Sequence, residues 1–66
     1  MKHFIILDYY HDRKDKVSLP IEDITRIFAT GNRTDVYYGE GKHIEVSNSV
    51  QEIVKRINEV INNLNK

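Results

Sequence analysis

The chain contains no cysteine, which excludes disulfide bonds as a source of stability. It has no apolar run near the ~18 to 20 residues that a bilayer span needs. The short apolar run at residues 4–7 is also too brief for the core of a signal peptide. Net charge is absent as well, because ten basic residues balance ten acidic ones. We therefore expect a cytoplasmic protein with no membrane association and no long-range attraction to nucleic acid.

The length of 66 residues allows one domain. A chain of this size buries only ~60% of the surface that its unfolded form exposes, so its stability is marginal. Disulfides are excluded, and no clustered His or Cys tract offers a structural metal. Self-association into a homo-oligomer is the remaining way to stabilise so small a domain, and we expect it here. The abundance of Ile, Asn and Lys is typical of low-GC bacteria and their phages.

Residue types predict an α+β fold in which one small antiparallel sheet, a meander of about five strands, packs against a C-terminal helix. Whether the sheet closes into a barrel is left open. Both faces of the first strand are apolar, which predicts that it is central in the sheet or covered on both sides. Pro20 is expected to break the ladder, and Ile21, Ile24 and Ile27 suit a helical or 3₁₀ turn after it. The predicted strands are residues 4–10, 16–19, 26–30, 36–38 and 42–46.

The C-terminal helix, residues 49–65, has the clearest pattern in the sequence. Ser49 and Glu52 have the spacing of a capping box, in which each side chain bonds the backbone of the other. Glu52 and Arg56 form a favourable pair four residues apart. Apolar residues recur at helical spacing and predict a face that covers the sheet of the same chain; they are Val50, Ile53, Val54, Ile57, Val60, Ile61 and Leu64.

Several stretches together carry a family resemblance. They are residues 17–27 (VSLPIEDITRI), residues 34–38 (TDVYY) before a glycine turn, residues 42–46 (KHIEV) and residues 49–53 (SVQEI). This order resembles the small FlbD/SwrD-like proteins associated with flagella and swarming. It is also similar, more weakly, to the LytTR-type DNA-binding domain. The first resemblance implies a regulatory accessory role, and the second implies DNA recognition through basic and polar loop residues.

Catalytic and metal-binding patterns are missing from the sequence. Ser49 is better explained as a helix cap than as a nucleophile. The glycines lie in predicted hairpins and not before a helix, so no phosphate-binding loop is formed. His3, Asp8, His11 and Asp12 match no zinc spacing, and Glu22 with Asp23 suits a helix start better than acid–base chemistry. We therefore expect no enzyme activity, no catalytic residue, no metal and no cofactor.

Adjacent tyrosines supply the candidate binding surface. In a strand, neighbouring side chains point to opposite faces, so one ring of each Tyr–Tyr pair should face outward. Exposed tyrosine beside arginine is typical of protein-binding hot spots, and aromatic residues beside basic ones can hold single-stranded nucleic acid. The alternative is that these side chains only stabilise the sheet as cross-strand pairs. The candidates are Arg26, Arg33, Tyr37, Tyr38, Lys42 and His43.

Three functions remain open from the sequence. The preferred one is a small regulatory or inhibitory protein, bacterial or phage-encoded, that binds another protein through its sheet face and turns. The first alternative is a LytTR-like module that binds nucleic acid through Arg26, Arg33, Lys42 and His43. The second is an oligomer that sequesters a small molecule or nucleotide between subunits.

Overall fold

Over the residues that the structure describes, the fold is α+β, as predicted, with five antiparallel strands and one long helix. A computed structural model describes residues 2–64. The strands are β1 (Phe4–Asp8), β2 (Lys16–Pro20), β3 (Ile24–Thr30), β4 (Arg33–Tyr38) and β5 (Lys42–Val46), and the helix is α1 (Val50–Leu64). A 3₁₀ turn forms at Ile21–Asp23, as predicted, but it contains only the first of the three spaced isoleucines. Ile24 and Ile27 lie in β3, which begins two residues before the predicted boundary at residue 26. The predicted helix end at residue 65 falls outside the described residues.

The strands form two sheets, one with the order β1-β2 and one with the order β3-β4-β5. A single five-stranded meander and a barrel are therefore not confirmed. The two sheets meet at an isolated bridge between Tyr9 and Val46. Tyr10 also donates from its backbone N–H to the Glu45 carbonyl, and Ser47 donates to the Asp8 carbonyl. After Asp8 the chain therefore runs beside the end of β5, while the Tyr9 N–H still donates to the Asp15 carbonyl of the first hairpin. β1 ends two residues before the predicted boundary.

The expectation that β1 is covered on both faces is wrong. Ile5 and Leu7 are buried, but Phe4 and Ile6 on the opposite face are 53% and 58% exposed. β1 has an ordinary alternating pattern with one buried face. Its continuous apolar sequence places two large side chains at the surface.

Pro20 ends β2 but does not break the pairing there. It lies opposite Phe4, and the following residue, Ile21, donates its N–H to the His3 carbonyl. A proline is tolerated at this position because the N–H that it lacks would point away from the partner strand.

Residues from both sheets and from the helix form the core. Val36 of β4, Val46 of β5 and Ile53 of α1 are fully buried. The buried side chains of β1 and β2 that join them are Ile5, Leu7 and Leu19. Val54, Ile61 and Leu64 are exposed, although they belong to the predicted apolar face of the helix. The apolar face of α1 is thus wider and longer than the sheet surface against which it packs.

One of the two hydrogen bonds of the predicted capping box forms at the start of α1. The Ser49 hydroxyl accepts the N–H of Glu52 at 3.1 Å. The Glu52 carboxylate accepts at 2.9 Å from Arg56, in the predicted pair, and at 3.2 Å from Asn48 Nδ2. No bond from Glu52 back to Ser49 occurs among the described side chains.

Asn48 ties the end of β1 to the start of α1. Its side chain is buried, and Oδ1 accepts the backbone N–H of Asp8 at 2.7 Å. Its Nδ2 donates to Asp8 Oδ2 at 3.4 Å and to Glu52 Oε2 at 3.2 Å. One amide therefore satisfies polar groups of β1 and of α1, and Asn48 lies 40 residues after Asp8 in the chain.

Candidate functional site

A row of stacked rings crosses the face of the three-stranded sheet that points away from the core, which we call the outer face. Tyr37 lies in β4, with Phe28 on one side in β3 and His43 on the other in β5. The ring centroids of Phe28 and Tyr37 are 5.6 Å apart and their planes differ by 15°. Tyr37 and His43 are 5.2 Å apart with planes at 27°. Because these residues alternate with inward-facing ones, the strand register alone brings them together. We call these three side chains the ring row.

Arg26 adds a positive charge to the ring row. It pairs with Tyr37 in the β3–β4 register, and its guanidinium carbon lies 5.7 Å from the centre of the Tyr37 ring. This distance permits a cation–π contact. Arg26 and His43 are exposed, and Phe28 is 37% exposed. The outer face therefore presents ring edges and a guanidinium to solvent in a fixed arrangement.

The stacking limits what the ring row can bind. Phe28 and His43 stack on Tyr37 from its two sides, so both faces of that ring are covered. A nucleic-acid base that stacks on an aromatic residue needs an open ring face. The ring row offers such faces only at its two ends.

A network of charges lies on the same outer face, beside the ring row. Arg33 Nε is 2.7 Å from Glu45 Oε2 and 3.3 Å from Asp35 Oδ1. Neither Arg33 Nε nor Asp35 Oδ1 makes a hydrogen bond within residues 2–64. The contact between Arg33 and Asp35 is therefore an ion pair without a directed hydrogen bond. His11 Nε2 lies 2.8 Å from Glu45 Oε1. The His11 hydrogen bond, followed by the charge of Arg33, lowers the pKa of Glu45 against the opposing effect of desolvation.

The structure separates the six predicted surface residues into two groups. Arg26, Arg33, Tyr37 and His43 share the outer face. Tyr38 and Lys42 pair with each other and belong to the opposite face, where Tyr38 packs against the core. Tyr37 and Tyr38 thus point to opposite sides, as their adjacency predicted.

Sequence reasoning missed two members of the outer face. Phe28 lies two residues after Arg26 in β3, and the same period of two would have placed it there. Asp35 carries a buried carboxylate two residues before Tyr37 in β4. No local signal in the sequence distinguishes that buried acid from a solvent-exposed turn residue.

Two shallow grooves among residues 2–64 lie apart from the ring row. One, of about 270 Å³, lies between the β3–β4 turn and the start of the helix, and Arg33, Ser47 and Ser49 line it. The other, of about 380 Å³, lies between β1 and the helix, beside Phe4, Arg56 and Val60. Within residues 2–64, no group of three or more side chains is placed to hold a metal ion.

No helix in the described part of the chain is long and apolar enough to cross a membrane.

Comparison with known proteins finds no match to a family model, to a curated protein or to a solved structure. The function is therefore inferred mainly from the geometry of the outer face.

Proposed function

We propose that this chain is a non-catalytic interaction protein that binds another protein through the ring row and Arg26. The observation that carries the proposal is the stack of Phe28, Tyr37 and His43, in which the two outer rings are exposed and a guanidinium lies beside the middle one. Aromatic residues and arginine are the side chains enriched at binding hot spots. Rings already held by stacking lose little conformational freedom when a partner binds, which favours affinity.

The charges around the ring row support a protein partner over a nucleic acid. Of the basic residues that a LytTR-like function would use, Arg33 is engaged by two carboxylates. Lys42 belongs to the opposite face of the sheet. Of the four basic residues, only Arg26 and His43 remain available on the outer face. These two side chains provide little positive charge for binding phosphates.

The resemblance to FlbD/SwrD-like proteins supports a regulatory accessory role in the cytoplasm. An inhibitory protein of bacterial or phage origin would bind its target through the same ring row and Arg26. Nucleic-acid binding and the sequestering of a nucleotide between subunits remain the alternative proposals. Duplex and single-stranded probes at low salt test the first by fluorescence anisotropy, and a thermal shift with a nucleotide panel tests the second.

Affinity capture with matched variants tests the preferred function. The immobilised chain is incubated with extract from cells that express it naturally, and retained proteins are quantified by mass spectrometry. The outer-face variant is Phe28→Ser with His43→Ser. The control is Lys55→Ser with Asn62→Ser, which alters two exposed residues of the helix. We expect one protein at near-equal molar amount on the wild type and the control, and at least about tenfold less on the outer-face variant.

The purified partner then allows the site to be measured directly. Arg26→Ala should weaken its binding by about 1 to 2 kcal/mol in calorimetry, because arginine beside aromatic residues is a frequent hot spot. Equal retention on the outer-face variant and the control would contradict the proposed site. Retention of no protein at stoichiometric amount would contradict the function.

A further inference from the structure

The outer edge of β3 has free backbone groups. β3 pairs with β4 on one side only. Thr30 and Arg33 flank a two-residue turn in which Gly31 has a φ of +61°, so they form a hydrogen-bonded pair. Such pairs alternate along an antiparallel ladder. The N–H and C=O groups of Ile27 and Ala29 therefore point away from β4. No hydrogen bond elsewhere within residues 2–64 occupies them.

Other edges of the two sheets have protection that β3 lacks. Along β1, the Arg56 guanidinium donates to the Ile6 carbonyl. β2 carries Lys16 and ends in Pro20, two residue types that discourage edge pairing. β3 has seven residues, no proline and a single charge, on Arg26. Its sequence, ITRIFAT, is rich in residues that favour strands.

We propose that two copies of this chain associate by pairing their β3 edges antiparallel about a two-fold axis. Phe28 lies on the axis and faces Phe28 of the second copy. Ile27 of each copy exchanges both of its backbone hydrogen bonds with Ala29 of the other. An isologous contact of this kind satisfies the same groups in both copies. The two three-stranded sheets become one continuous sheet.

Charge and side-chain geometry fit a second copy as the occupant of this edge. In this register Arg26 faces Thr30 of the other copy, so no like charges meet. The formal net charge of zero removes long-range repulsion between copies. Phe28 is the exposed end of the ring row, and contact with its counterpart joins the two rows across the axis. Aromatic pairs directly opposite each other stabilise a sheet.

The area of the contact predicts a reversible dimer. Each copy contributes the segment from Arg26 to Thr30, because a bulge between Ile24 and Arg26 ends the regular strand geometry. A pair of five-residue edges falls below the ~1,200 Å² of total buried surface that marks the small end of stable interfaces. We therefore expect a dissociation constant in the micromolar range or weaker.

Sedimentation equilibrium of the purified full chain, without any partner, tests this dimer separately from the proposed function. Phe28→Lys and Phe28→Glu should each raise the dissociation constant at least about tenfold, because like charges then face each other across the axis. An equal mixture of the two variants should restore association. Phe4→Lys, which alters an exposed aromatic residue on β1, should leave the dissociation constant unchanged.

Hydrogen exchange on the wild type provides a second measurement that does not depend on how well the variants fold. The Ile27 and Ala29 amides should become more protected as the protein concentration rises. A chain that stays monomeric at millimolar concentration would overturn the proposal. So would protection of these amides that is independent of concentration, a dimer that survives Phe28→Lys, a dimer that is lost on Phe4→Lys, or a mixture that does not restore association.

Discussion

Replacing Asn48 with alanine should remove a large part of the stability of this protein. Asn48 is 3% exposed, and its Oδ1 accepts the Asp8 N–H at 2.7 Å. Alanine leaves that donor without a partner, at a cost of about 1–3 kcal/mol. The loss of two longer bonds from Nδ2 to Asp8 and Glu52 adds roughly 0.5–1 kcal/mol. We expect a total of about 1.5–4 kcal/mol, against a stability of roughly 3–10 kcal/mol for a domain of this length.

Urea denaturation followed by far-ultraviolet circular dichroism measures this loss. Asn62→Ala removes an exposed helical asparagine and should change stability by less than about 0.5 kcal/mol. Asn48→Asp keeps the acceptor for Asp8 but places a third carboxylate beside Asp8 and Glu52, so it should be destabilising at pH 7 and recover as the pH falls. Equal denaturation midpoints for Asn48→Ala and Asn62→Ala would refute the assigned role of the buried amide.

Three further perturbations test other contacts. Hydrogen bonds from His3 lower the pKa of Glu22 to about 2. The ionised Glu22 carboxylate therefore stabilises the fold above pH 4.5, and this stabilisation is lost as the pH falls towards 2. Melting temperatures of Glu22→Gln and the wild type should converge near pH 2. Tyr37→Leu removes two ring contacts and should cost about 1–2 kcal/mol in urea denaturation. Arg33→Ala removes the cation beside the buried carboxylate of Asp35 and should cost about 1–3 kcal/mol in the same assay.

Each of these predictions has a matched control in the chain. Glu40→Gln changes an exposed acid in a turn and should leave the pH profile as in the wild type. Tyr37→Phe keeps the stacked ring and should be less destabilising than Tyr37→Leu. Arg13→Ala changes an exposed arginine and should have little effect. A variant that behaves like its control shows that the contact in question adds nothing to stability.

The elements of this fold could be predicted because their signals are local. The helix shows its period and its Ser49 cap, and the glycine turns mark the hairpins of the three-stranded sheet. The arrangement of the two sheets could not be predicted, because they are joined by long-range contacts that no local pattern encodes. These contacts are the Tyr9–Val46 bridge and the bond from the Tyr10 N–H to the Glu45 carbonyl. The exposure of Phe4 was missed for a similar reason, since apolar residues on both faces of a strand do not say which face another element covers.

The candidate site was predictable to the extent that period-two geometry applies. That rule separates Tyr37 from Tyr38 and places His43 on the outer face. It does not give the order of strands, so the stacking of Tyr37 between Phe28 and His43 required the structure. The pairing of Arg33 with Asp35 and Glu45 was missed because it depends on the register of β4 against β5. Arg33 was predicted to be available for binding, but it is engaged within the sheet.

The connection between Asp8 and Asn48 has a consequence for the order of folding events. The hairpins β1–β2, β3–β4 and β4–β5 close loops of a few residues, whereas this connection closes one of 40 residues. Asp8 and Lys16, which flank the longest hairpin loop, lie eight residues apart, so the loop of 40 residues is five times longer. By chain statistics, closing it costs about 1.4 kcal/mol more. We therefore expect the hairpins to form first and the first hairpin to dock last. In stopped-flow kinetics, Asn48→Ala should accelerate unfolding and leave the refolding rate nearly unchanged.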